Sequence, residues 1–209
     1  MPSKTHHPPI SELVILLCQI AFLFAMGMAI LYRVEPFSFI DNYVSDLGLV
    51  VIDNISNTAG MMWFSIGIVM ITIAFSVLAS LCFRWQGEFS ALIHLCGGCF
   101  LFAGVSAFIM IFFPKDITPT AHFWFSMGIY AGYLPGATAL TLVFAHAPFR
   151  IRSCGGLMIV ELLLFGFYLL ANVVSVGLPA AFFQKLAIAG MVISLLVLAY
   201  PLTHLSPKT

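Results

Sequence analysis

Long runs of apolar residues alternate with short polar segments along this 209-residue chain. A helix needs about twenty apolar residues to cross the hydrocarbon core of a bilayer, and six stretches reach that length. Helices are predicted at about 11–32, 59–82, 91–113, 121–145, 155–178 and 184–203. Prolines mark several boundaries, with Pro114 and Pro119 around one turn and Pro179 after the fifth run. The pattern predicts an all-α fold: a polytopic membrane protein whose six transmembrane helices form a single domain over residues 1–209.

Composition agrees with a lipid environment. Hydrophobic residues make up 62% of the chain and charged residues 8%, and the mean hydropathy is +1.10. A soluble domain could not cover so much apolar surface, because it would lack the polar residues to face water. The net charge of zero excludes the basic surface typical of nucleic-acid binding. The expected partners are membrane lipids, with other membrane-protein subunits as a further option, and no nucleic acid.

Basic residues favour one orientation in the membrane. Alternate loops divide them five against three. One side holds Lys4, Arg84, Arg150, Arg152 and Lys208, and the other holds Arg33, Lys115 and Lys185. Because the side richer in Lys and Arg is typically cytoplasmic, both termini are predicted in the cytoplasm. The protein is therefore expected to be a multi-pass integral protein of the cell membrane or an inner membrane.

Residues suited to chemistry gather at the predicted outer face. Ser45 and Asp46 lie in the first outer loop, and Asp116 and His122 flank the start of the fourth helix. These four are expected to converge at one interfacial pocket, with Asn172 pointing toward it from about two turns inside the fifth helix. Histidine can act as a general base, a carboxylate as an orienting group, and serine as a nucleophile or hydrogen-bond donor. The four residues at the face are the candidate catalytic residues.

Each of these residues also has a purely structural interpretation. Ser45 and Asp46 before Gly48 are typical of a turn or helix cap, because their side chains accept backbone N–H bonds. His122 can be a packed interfacial residue, and Lys115 beside Asp116 can form an ordinary surface ion pair. A structural role is the more frequent one for any single residue, so convergence favours function only for the set.

The sequence predicts no metal and no cofactor. It contains no H-E-x-x-H motif and no paired histidines at helical spacing within the membrane. A haem bundle needs facing histidines at similar depth, whereas His94 and His122 lie at opposite edges. Cys96 and Cys99 are expected to be small packing residues. Glu161, which is costly in lipid, is expected to pair with His94.

Two short motifs resemble a known family. They are Ser-Asp-Leu-Gly at 45–48, and Phe-Phe-Pro-Lys-Asp at 112–116 leading to His122. They resemble the six-helix proteins grouped as domain of unknown function 998, which are similar in turn to the damage-regulated autophagy modulators. The resemblance implies a six-helix fold with a polar pocket, and no established reaction. The positions it carries over are Ser45, Asp46, Gly48, Pro114, Asp116 and His122, together with Asn57 as a polar position before the second helix.

Three functions from different classes follow. The first is binding or sensing of a lipid headgroup at the outer edge, with candidate ligands Ser45, Asp46, Asn57, Asp116, His122 and Asn172. The second is an intramembrane hydrolase or lipid-remodelling enzyme, with His122 as the base and Ser45 or a water as the nucleophile. The third is a structural subunit of a membrane complex that binds its partners through phenylalanine-rich surfaces.

Overall fold

The computed structural model describes residues 9–86, 88–145, 149–173 and 179–204, with the side chains of 149–155, 172 and 173 excepted. The described residues form six α-helices, which confirms the all-α prediction. They are α1 (Ile10–Leu31), α2 (Thr58–Phe83), α3 (Ser90–Met110), α4 (Pro119–Val143), α5 (Phe149–Val173) and α6 (Ala180–His204). Most predicted boundaries lie within a few residues of these. The largest differences are at α5 and α6, which begin earlier than predicted because hydropathy does not mark where a helix continues into the polar boundary.

The helix surfaces are suited to lipid. Four helices, α1, α2, α3 and α6, are long and apolar enough to cross a membrane by length and composition, and α5 contains a shorter apolar stretch, Gly156–Ala171. Large apolar side chains such as Leu17, Leu95 and Phe102 are more than half exposed. Exposed apolar surface of this extent marks contact with a membrane or a partner. The chain is a helical membrane protein.

The helices pack in two groups. Consecutive helices from α1 to α4 pack against one another, α5 packs mainly against α6, and α6 also contacts α1 and α2. Phe75 of α2, Phe100 of α3 and Leu195 of α6 are fully buried in the shared core. Contacts of α4 with α5 and α6 are far fewer than those with α3. The bundle is therefore tight on the α3 side of α4 and looser on its other side.

Glycines explain the tight α3–α4 contact. Gly128, Gly132 and Gly136 repeat every fourth residue along α4 and face α3. A Cβ on Gly132 would lie 2.6 Å from the carbonyl oxygen of Cys99 and 2.8 Å from the amide nitrogen of Ala103. Small residues at this spacing let two membrane helices approach backbone to backbone. Cys99 packs against Gly136, which agrees with a packing role for that thiol.

The first long loop and the turn before α4 lie at one end of the bundle, which we call the loop face (residues 32–57 and 111–118). The loop contains a 3₁₀ helix, Val44–Gly48, and an antiparallel hairpin of β1 (Val51–Ile52) and β2 (Ile55–Ser56). Asp53 and Asn54 form the two-residue turn with φ values of 48° and 65°. A two-residue hairpin turn of this type requires positive φ at both positions, which Asp and Asn tolerate.

Two carboxyl groups meet beside this hairpin. The side chain of Glu35 faces that of Asp53, and the interaction with this second carboxyl group and its negative charge raises the pKa of Glu35. A raised carboxyl pKa means that the folded loop holds its proton more tightly than the unfolded chain does. This contribution to stability is present at acidic pH and is lost as pH rises through the folded pKa.

Candidate functional site

Asp46 joins the two segments of the loop face. Its Oδ2 accepts a hydrogen bond of 2.7 Å from the backbone N–H of Tyr43, which caps the 3₁₀ helix. Its Oδ1 accepts a 2.6 Å hydrogen bond from the ammonium of Lys115, and that ammonium also lies 4.8 Å from the centre of the Tyr43 ring. The Asp46 side chain is almost buried, whereas that of Lys115 is 39% exposed. Asp46 therefore orients a cation that solvent or a ligand can still reach.

Asp116 holds the hairpin. Its Oδ2 accepts hydrogen bonds from the backbone N–H groups of Val50 and Val51, at 3.0 Å and 2.9 Å. Carboxylates that accept backbone N–H bonds form the stronger, charge-assisted kind. The sequence placed Asp116 beside the other candidates, and the structure uses its carboxylate to fix the entry to β1.

We expect Asp116→Ala to loosen the hairpin without unfolding the bundle. Two backbone donors would lose an acceptor, at about 1–3 kcal/mol of local stability. Hydrogen exchange of the Val50 and Val51 amides measures this directly and should accelerate. Asp41→Ala is the matched control, because that carboxylate bonds to Ser38 within its own turn. Equal exchange rates in both variants would contradict the assigned role.

His122 lies in the first turn of α4 and is 5% exposed. Its Nδ1 lies 2.8 Å from the carbonyl oxygen of Phe113, so Nδ1–H donates to that carbonyl. The other ring nitrogen, Nε2, is then a hydrogen-bond acceptor, and it is buried with no partner in the described part of the chain. A buried acceptor without a donor costs about 1–3 kcal/mol, so an occupant that donates to Nε2 would be favoured.

His122 lines an open cleft of about 570 Å³ at the loop face. The cleft lies between the 3₁₀ helix and the first turns of α4 on one side and α5 and α6 on the other. Its polar side chains are Tyr43, Ser45, Lys115, His122, Ser126, Tyr168 and Gln184. Apolar side chains, among them Phe123 and Leu169, complete the wall. A mostly apolar concavity with a few convergent polar groups is the usual form of a small-molecule site.

Gln184 and Lys185 attach the start of α6 to this cleft. The Oε1 of Gln184 accepts a 2.8 Å hydrogen bond from the backbone N–H of Val44, and its side chain also bonds to Tyr168. Lys185 donates to the carbonyl oxygens of Phe39 and Asn42 in the first loop. Gln184 was not among the predicted site residues, and Lys185 was counted only as a basic residue of the outer side. The sequence signal for both residues is that they are polar and stand at the start of an apolar helix. That end of the helix lies at the same membrane face as the first outer loop and the turn before α4.

Two other sequence-predicted residues have different positions. Asn57 is 1% exposed and donates from Nδ2 to the carbonyl oxygen of Leu49 at 2.9 Å, so it supports the hairpin and lies outside the cleft wall. Gly60 permits this, because a Cβ there would lie 2.6 Å from the Asn57 Oδ1. The side chain of Asn172 lies outside the described residues, although its backbone belongs to α5.

The described residues of the cleft do not form an assembled catalytic triad. Ser45 and His122 line the same wall, but Nε2 of His122 accepts no hydrogen bond from Ser45 or any other described group. The group that orients the imidazole is the Phe113 carbonyl, whereas Asp46 and Asp116 are engaged by Lys115 and the hairpin. In a nucleophile–base pair, the base reaches the nucleophile and a third group orients the base. Among the described residues there is also no group of three or more His, Cys, Asp or Glu side chains that could hold a metal.

A second polar cluster lies deep among α4, α5 and α6. The hydroxyl of Tyr133 donates to Oε2 of Glu161 at 2.6 Å and is hydrogen-bonded to Ser194. The expected pair of His94 and Glu161 is wrong: Nε2 of His94 lies 3.0 Å from the carbonyl oxygen of Trp85. The physical reason is that α4 lies between α3 and α5, so a side chain on α5 meets α4 and α6 instead.

The position of each residue along its helix is a sequence signal that predicts this cluster. Tyr133, Glu161 and Ser194 lie 12 to 14 residues from the loop-face ends of their helices. At 1.5 Å per residue this is about 18–21 Å for all three. A carboxyl group within lipid requires polar partners at its own depth, and these hydroxyl groups supply them.

No protein-family model, curated protein or solved structure matches this chain.

Proposed function

We propose that this protein binds a membrane lipid by its phosphate-bearing headgroup, in the cleft at the loop face. The observation that carries the proposal is the buried His122 ring, whose Nε2 lacks a partner, on the wall of the same cleft as the accessible Lys115. A Lys ammonium has three N–H donors, and Asp46 takes one of them. A phosphate oxygen suits the remaining donors, and a neighbouring hydroxyl of the headgroup suits Nε2.

The charge balance favours one phosphate rather than several. Lys115 and Asp46 neutralise one another, and the negative charge of Asp116 at the rim is offset by Lys185 near the start of α6. A headgroup with many phosphates would meet too little positive charge here. A headgroup region with a single phosphate and a free hydroxyl, such as that of a lysophospholipid, meets one cation, one acceptor and the hydroxyl of Ser45.

The proposal includes an arrangement in the membrane. All six helices cross the bilayer, which brings the start of α1 and the end of α6 to the same face. Glu12 near the start of α1 accepts a hydrogen bond from Thr203 and lies 3.1 Å from Nδ1 of His204, which supports this arrangement. The excess of basic residues on that side favours it as the cytoplasmic one. The proposal also includes a relationship to the domain of unknown function 998 group, which is supported by the two motifs at 45–48 and 112–116.

Lipid binding has more support than the hydrolase alternative. A hydrolase with Ser45 as the nucleophile requires the His122 base to reach Ser45, whereas Nε2 has no partner among the described residues. With either Ser45 or a water as the nucleophile, both nearby carboxylates serve other bonds and do not orient His122. Binding requires only the donors and acceptors that already line the cleft. The role of a structural subunit has no contact in its favour beyond apolar surface, which lipid covers equally well.

We expect Lys115→Met to weaken binding of lysophosphatidic acid roughly tenfold to a hundredfold. A hydrogen bond to a charged group contributes about 1.5–3 kcal/mol, which corresponds to that range. His122→Phe should also weaken binding, because it removes the acceptor while keeping a ring of similar size. Titration of the full chain in detergent micelles, followed by native mass spectrometry, measures both affinities.

The matched control is Arg84→Met, which removes a basic charge at the opposite end of the bundle. Hydrogen exchange at the Tyr43 amide shows whether the capped 3₁₀ helix persists in Lys115→Met. Equal affinities of Lys115→Met and Arg84→Met, with the cap intact, would rule out headgroup binding at this cleft.

A further inference from the structure

A small apolar pocket lies behind the cleft, within the bundle. We call it the inner pocket; it has a volume of about 60 Å³. Its wall includes Phe22 of α1, Ile68 and Ile71 of α2, and Ile188 and Met191 of α6. Because a single water needs roughly 10–15 Å³ of such space, the inner pocket has room for a short piece of a molecule and not for a whole lipid.

The inner pocket and the cleft adjoin one another. Ser45, Ser126 and Gln184 line both of them. These three side chains come from the 3₁₀ helix, α4 and α6, so they mark the boundary between the two spaces. A molecule whose polar end lies at Lys115 and His122 can therefore extend past this boundary into the bundle.

Two of the three side chains at the boundary are already hydrogen-bonded within the protein. The Oε1 of Gln184 accepts from the Val44 amide at 2.8 Å, and the hydroxyl of Ser126 donates to the sulfur of Met110 at 3.0 Å. A buried water typically requires two to four polar partners, and an apolar cavity without them stays dry. The remaining wall of the inner pocket is almost entirely hydrocarbon and methionine. Hydrocarbon is the occupant that this chemistry fits.

The packing of the bundle explains why such a space exists. Glycines hold α4 on α3, and α5 packs mainly on α6, so α4 makes few contacts with α6. The space lies along that loosely packed seam. Met110 and Met191 line it, and methionine side chains adapt to an irregular occupant better than branched ones do.

We infer that the lipid bound in the cleft inserts one hydrocarbon chain into the bundle, with its end in the inner pocket. This inference rests on the proposed headgroup binding and identifies the ligand class as a phospholipid with a single chain, the lysophospholipids. The inner pocket admits one chain end only. The bilayer interior and the inner pocket are equally apolar, so the hydrocarbon chain gains no hydrophobic transfer energy by moving from one to the other. The gain comes from packing against the pocket wall, so the protein selects among lipids by the length of their chain.

The test compares chain-length preference in two variants at one position. The full-length protein in detergent is given an equimolar mixture of saturated lysophosphatidic acids with short, medium and long chains, and native mass spectrometry measures the bound fractions. Ile188→Trp fills the inner pocket and should shift the preference toward shorter chains, by about tenfold in the ratio of short to long. Ile188→Ala enlarges the pocket and should shift the preference toward longer chains.

Opposite shifts cannot come from general destabilisation, which would reduce binding of all lengths together. Ile193→Trp is the matched control, since that side chain is 57% exposed on the outer surface of α6 and should leave the preference unchanged. The same length preference in all three variants would overturn the inner-pocket inference, provided that Lys115→Met still weakens binding. If Lys115→Met has no effect, headgroup binding fails instead, so the two results are distinguishable.

Discussion

Replacement of Gly132 by alanine is expected to cause one of the two largest losses of stability among the changes considered. The added Cβ would lie 2.6 Å from the Cys99 carbonyl oxygen and 2.8 Å from the Ala103 amide nitrogen, which are both backbone atoms. Backbone cannot rotate away as a flexible side chain can, so α3 and α4 must separate along their length. Overpacking of this kind costs typically 1–3 kcal/mol, and we expect the upper end of that range.

The free energy of unfolding, measured by denaturant titration in mixed micelles with circular dichroism, reports this loss. Gly98→Ala is the matched control, because a Cβ at Gly98 in α3 meets nothing within 4 Å. That variant should be as stable as the parent or more stable by up to about 1 kcal/mol, since alanine favours the helix. Equal stability of the two alanine variants would mean that the glycine stripe does not bring the helices together.

Removal of the Glu161 carboxyl group is the second large effect. Glu161→Ala removes the acceptor at 2.6 Å from the Tyr133 hydroxyl, which keeps only Ser194, and creates a void among three helices. A lost partner of a buried group costs about 1–3 kcal/mol, and the void adds to that loss, so we expect about 2–4 kcal/mol in total. The same unfolding titration measures it.

Glu161→Gln separates hydrogen bonding from charge. The amide oxygen of glutamine can accept the Tyr133 hydroxyl proton as the carboxyl oxygen does, and the two side chains have the same shape. We therefore expect Glu161→Gln to retain most of the stability that Glu161→Ala loses. If glutamine were as damaging as alanine, the cluster would depend on a charge or a proton rather than on packing and hydrogen bonds.

The sequence could predict which membrane face each candidate residue lies at, because that depends only on which end of a helix the residue is near. Ser45, Asp46, Asp116 and His122 were placed at one face from the order of the apolar runs, and the structure brings their two segments into contact through Lys115 and the hairpin. The hairpin itself was missed, although Asp53 and Asn54 both tolerate the positive φ that a two-residue turn requires. Gln184 was missed because the predicted helix began at that residue and its polar side chain was read as part of the boundary.

The two wrong or incomplete expectations have a common origin. Hydropathy and helical rise report the depth of a residue in the membrane, but they do not report which helix stands beside which. The expected pair of His94 and Glu161 considered only how far each residue lies inside its helix. Because α4 lies between α3 and α5, the carboxyl group of Glu161 bonds to Tyr133 of α4 and lies beside Ser194 of α6 instead. For the carboxylates near His122, the capping role expected of Asp46 is found, whereas the engagement of Asp116 by the hairpin was not expected from the sequence.

The sequence by itself determined that this chain is helical, that its solvent is lipid and that its polar residues concentrate at helix ends. These properties follow from composition and from the length of apolar runs, which depend on neighbouring residues alone. Only the tertiary structure decided that α4 lies close against α3 and loosely against α6, and hence that a cleft and an inner pocket open on that side. Packing between helices depends on which faces meet. In lipid, all apolar faces are similarly solvated, so the sequence of one helix does not specify which helix packs against it.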